Sequence, residues 1–80
     1  MMHERAYAFL VQGEISPRRA DWFSGLTMTL IPGGYTLLTG RLADQAALHG
    51  ALARIRDLGL TLEALVALSR HETAEEESED

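Results

Sequence analysis

Eighty residues make one small domain whose core is marginal on its own. The chain has no cysteine, which excludes disulfides, thiolate metal sites and thiol chemistry, and no run of about 18 apolar residues, which excludes a transmembrane helix. The net charge of -5 is concentrated: residues 72–80, ETAEEESED, hold six acids, whereas residues 1–71 set six acids against seven arginines for a net of about +1.

The reading is therefore a single domain over residues 1–71 followed by a disordered acidic tail over 72–80, whose apolar content is too low to repay ordering. A near-neutral body without an arginine cluster argues against a nucleic-acid partner, because such binding is driven by phosphate contacts. The start, MMHERAYAFLVQGE, lacks the basic stretch and apolar run of a signal peptide, so a cytoplasmic setting is expected, with no membrane partner.

In chain order, YAFLVQG (7–13) reads as a strand that ends at Gly13. In SPRRADWFSG, Ser16 is a helix N-cap, Pro17 stands at the first helical position and Gly25 follows the end. This predicts a helix of about two turns with Ala20 and Phe23 on its inner face and Trp22 flanking. LTMTLI (26–31) alternates apolar residues with threonine, the pattern of a half-buried strand. PGG (32–34) is a turn and YTLLTG (35–40) the returning strand. A three-residue loop places Ile31 opposite Tyr35, Leu30 opposite Thr36 and Met28 opposite Leu38, so that Met28, Leu30 and Leu38 share a face.

Asp44 then caps a helix whose stripe is Leu48, Leu52, Ile55 and Leu58, with Gly59 as its stop. LTLEALVAL (60–68) has helical content, but its clean alternation directly after Gly59 favours a strand. The resulting order, β-α-β-β-α-β with right-handed crossovers, predicts an α+β fold of ferredoxin-like architecture. Its antiparallel sheet has four strands in the order 4-1-3-2, and two helices cover one face.

The segments ADQAALHG and RIRDLGL, within LLTGRLADQAALHGALARIRDLGLTL, resemble a family of small uncharacterised bacterial proteins. That family carries a TG…DQAALHG…RDLGL signature; ADWFSGL is similar to its upstream aromatic stretch. The likeness covers most of residues 7–66 and departs at LEALVAL, where the family has a plainer strand. It implies the fold and a cytoplasmic setting, and no established activity.

The candidate chemistry is sparse. His49 lies one step off the helix stripe without the companion ligands a metal site needs, and no metal or cofactor is expected. Asp44 is first of all a cap, and Trp22 divides between core edge and contact surface. Trp22 and His49 are the candidates for contact with a ligand or partner. VQGEISPRR is similar to the phosphate loop of acylphosphatases, but the chain contains no Asn to place the water, which argues against that reaction.

With Tyr7, Phe9, Val11, Met28, Leu30, Leu38, Leu62 and Val66 turned toward the helices, alternation sends Ala8, Leu10, Ile31, Tyr35, Leu37, Leu65 and Ala67 to the open face. An apolar open face points to a non-enzymatic, self-associating module that acts through protein contacts or by holding a small ligand at a subunit interface. The expected assembly is a homodimer or a dimer of dimers through that face, with another protein as a further partner class. The competing reading is a small isomerase- or decarboxylase-like enzyme using His49 with Asp44 or Glu63 as its base.

Overall fold

The computed structural model describes residues 5–68; the acidic run 72–80 lies outside them. The elements are β1 (Arg5–Gln12), a 3-10 helix η1 (Pro17–Phe23), β2 (Leu26–Ile31), β3 (Tyr35–Leu42), α1 (Gln45–Asp57) and β4 (Thr61–Leu68). The four strands form one antiparallel sheet in the order β2-β3-β1-β4, and the two helices pack on one face of it.

The first helix differs from expectation. Ser16 does cap it, its hydroxyl accepting from the Arg18 N–H at 3.2 Å, but the turns close as 3-10 rather than α. Only Phe23, at its last position, is buried; Ala20 is exposed. A segment this short, held by its C-terminal end, lacks the apolar length to lie flat on a sheet as an amphipathic α-helix.

The hairpin has the expected three-residue loop and register: Ile31 pairs with Tyr35, Leu30 with Thr36 and Met28 with Leu38. Gly33 and Gly34 adopt φ of 102° and 89°, which side chains resist. Leu30 lies on the helix side of the sheet, yet is 52% exposed, because neither helix reaches that corner.

Asp44 caps α1, its carboxylate accepting from the Ala47 N–H at 2.9 Å. At the other end the Gly59 N–H donates to the Arg56 carbonyl and the Leu60 N–H to that of Ile55, the paired bonds of a Schellman stop. The buried face of α1 is Leu48, Ala51 and Ile55, which fall within about 60° of one another at about 100° per residue. Leu52, expected at the centre of the stripe, flanks this face and is only partly buried. With Leu48, Ala51 and Ile55 turned inward, Leu52 is left at the rim.

The core is Tyr7, Phe9 and Val11 of β1 with Leu38 and Leu42 of β3, closed by Ile15, Phe23 and the α1 face. Among the described residues one buried polar group, Thr36, serves it. The Thr36 hydroxyl donates to the Gly13 carbonyl at 2.7 Å and accepts from the Ile15 N–H at 3.3 Å, which ties the β1–η1 loop to β3. Gly40 marks a close approach. A Cβ there would stand 2.5 Å from the Gly25 carbonyl oxygen and 3.2 Å from the Leu26 Cα, backbone atoms that cannot swing aside. Gly40→Ala should therefore cost about 1 to 3 kcal/mol. A thermal melt that shows no drop would refute this packing.

β4 is a strand, which settles the ambiguity of LTLEALVAL. Its register against β1 shifts between Leu10 and Val11. Leu62 pairs with Val11 and Ala64 with Leu10, so one extra residue, Glu63, is accommodated on β4. From there on the alternation is reversed. Leu65 pairs with Phe9 and Ala67 with Tyr7, on the helix side, whereas Ala64, Val66 and Leu68 pair with Leu10, Ala8 and Ala6 on the open side. Leu65 and Ala67 were expected on the open face and Val66 on the helix side. The bulge moves all three to the opposite faces.

Candidate functional site

Two surfaces stand out. The first is the sheet face that no described element covers. Ala8, Leu10, Ile31, Tyr35 and Leu37 share it as expected, and the register aligns them across strands. One row runs Thr29, Leu37, Leu10, Ala64; the next runs Thr27, Thr39, Ala8, Val66. These two rows carry no charge, and their apolar half lies over β1 and β4. Ala64, Val66 and Leu68 thus take the places assigned from sequence to Leu65 and Ala67.

β4 itself is the exposed extreme. All eight of its residues are exposed, and Leu62, Leu65, Val66 and Leu68 are 39, 38, 48 and 44% accessible. It is an edge strand, so one side of its backbone has no partner among the described residues. Soluble proteins ordinarily protect such an edge with charge, proline or brevity. Here the sole charge is Glu63, at the bulge. The opposite edge, β2, is shorter and interleaved with threonine, and η1 packs against it.

The second surface is a groove between η1 and α1, with two adjoining lobes of about 460 and about 370 Å³. Asp21, Trp22, Gly50 and Arg54 border both. The Trp22 ring is held by the Arg19 guanidinium, 4.9 Å from its centroid, a contact worth about 0.5 to 1 kcal/mol at an exposed site. Gly50 opens the α1 side: a Cβ there would meet no atom closer than 3.9 Å. A glycine inside a helix costs about 0.5 to 1 kcal/mol relative to alanine, a signal that could have pointed to the groove and that the reading of the stripe passed over. Asp57, at its rim, pairs with Arg56 at 3.2 Å, both exposed, so the pair adds little.

Trp22 therefore borders both lobes of the groove, and His49 borders neither. The His49 side chain is exposed on α1. The Asp44 carboxylate is engaged in the helix cap, and Glu63 sits exposed at the β4 bulge. No hydrogen bond joins any two of the three among the described residues. Nor do the described residues contain a group of three or more His, Cys, Asp or Glu that could hold a metal ion, or a helix long and apolar enough to cross a membrane.

Residues 6–66 match the family described as a domain of unknown function, DUF8691. The chain belongs to the DUF8691 family. No curated protein and no solved structure matches it. The match to the DUF8691 domain begins in β1 and ends inside β4, so it takes in the bulge, both helices and the groove.

Proposed function

We propose that this DUF8691 protein is a non-enzymatic, cytoplasmic, self-associating module of ferredoxin-like topology. The strand order β2-β3-β1-β4, counted from the other edge, is 4-1-3-2, and this supports the topology with η1 standing where the first helix would be. The observation that carries the function is the uncovered sheet face: two charge-free rows ending on the wholly exposed β4. Water is a poor neighbour for that surface, and a second copy presents the same surface in complementary form. Burying it also supplements the small core of an 80-residue chain. A small ligand would sit in the η1–α1 groove against Trp22, on the other side of the sheet.

Leu10→Asp tests the reading. Leu10 is half-buried at the centre of the open face, between Leu37 and Ala64. A carboxylate there should reduce the mass of the assembly in sedimentation or light scattering, with the far-UV circular dichroism retained. A wild-type chain that runs as a monomer would refute self-association.

A further inference from the structure

The direction of the β4 backbone groups that have no partner among the described residues follows from one hydrogen bond. The Gly13 N–H donates to the Gly34 carbonyl, continuing the β1·β3 register in which Gln12 faces Tyr35. Hydrogen-bonded and non-bonded pairs alternate along an antiparallel ladder. The odd-numbered residues of β1 (Tyr7, Phe9, Val11) therefore turn their N–H and C=O groups toward β3. Ala6, Ala8 and Leu10 turn theirs toward β4, where they meet Leu68, Val66 and Ala64. The N–H and C=O groups of Leu65 and Ala67 are left pointing outward from the sheet edge.

We propose that this edge pairs with the β4 of a second copy, antiparallel, with Val66 opposite the partner's Val66 on a two-fold axis. The inference rests on the self-association reading above and adds a contact that the open face does not provide. In this register Leu65 and the partner's Ala67 exchange both backbone hydrogen bonds, and symmetry repeats the exchange. The two valines form the close, non-bonded pair, in which β-branched side chains pack well. A shift of one residue would set helix-side against open-side residues. A shift of two toward the N-terminus would bring Glu63 and the bulge into the ladder. A shift of two toward the C-terminus would leave Leu65 unmatched within residues 64–68.

Charge and chain direction favour a second copy as the occupant. Segment 64–68, ALVAL, is uncharged and regular, hence complementary to itself. Beyond Leu68 the sequence runs on to residue 80 with six acids. Antiparallel pairing sends the two acidic runs away from opposite ends of the contact; parallel pairing would set them side by side. The edge alone is small against the roughly 800 Å² per partner of a stable interface. The open face supplies the rest on an axis perpendicular to the first, so the two contacts together close a four-chain assembly.

Amide hydrogen exchange on the full-length wild-type chain reads the edge directly. Leu65 and Ala67 should be protected to the level of Val66, and should remain so in Leu10→Asp. Rapid exchange at both, with Val66 protected, overturns the inference. Ala67→Pro removes one outward donor and no bond to β1, and proline is tolerated on a free edge. It should halve the wild-type mass from four chains to two, whereas Val66→Pro should instead lower the melting temperature by breaking the β1 ladder. Ala67→Pro at wild-type mass overturns the edge contact. If Leu10→Asp still splits that assembly, the function reading survives without it. A monomeric wild type overturns both, and a different polypeptide held on β4 overturns the choice of occupant.

Discussion

Phe9→Ala is expected to remove a large share of the protein's stability and to lower its melting temperature steeply. Phe9 is fully buried at the middle of β1, an inner strand of the sheet. Leu38 and Leu65 stand beside it on the neighbouring strands, and the Tyr7 ring lies 6.4 Å away, tilted by 40°. Truncation to alanine removes the ring's transfer free energy and leaves a cavity that a sheet interior cannot collapse into, about 3 to 5 kcal/mol. A domain of 80 residues holds about 4 to 12 kcal/mol in all. Urea and thermal melts would measure the loss. A cost below about 1 kcal/mol would mean that the core is not centred on β1.

The second large effect separates two residues that sequence alone ranks together. Ile55→Ala should cost about 2 to 5 kcal/mol, because Ile55 is 3% exposed on the buried face of α1. Leu52→Ala should cost clearly less, since Leu52 sits at the rim and its methyl groups are partly in water already. Paired melts under one condition would check the order. The reverse ranking would show that α1 is rotated about its axis relative to the sheet, with Leu52 inward.

These two residues show how far the sequence could be read. The apolar period identified α1 and its caps, because Asp44, Ala47 and Gly59 act within one turn of the helix ends. The period did not reveal which line of the stripe points inward. That depends on how the helix is rotated about its axis against the strands, which is a contact between elements. The groove was half visible: Trp22 was a candidate, while Asp21, Gly50 and Arg54 join it only once η1 lies beside α1. His49 is exposed on α1 and borders neither lobe of the groove.

By itself the sequence determined the first three strands, the positions of both helices, the three-residue hairpin loop and its register, and the open-face membership of Ala8, Leu10, Ile31, Tyr35 and Leu37, whereas 60–68 was open between strand and helix. All of these follow from local rules: alternation with period two, left-handed glycines in the turn and side-chain caps. Only the tertiary structure decided that Leu65 and Ala67 face the helices while Ala64, Val66 and Leu68 face outward. The alternation of LTLEALVAL by itself puts Leu62, Ala64 and Val66 on one face. The phase was set when β4 aligned on β1 with Glu63 left over at the bulge, and a bulge is a property of two paired strands rather than of one.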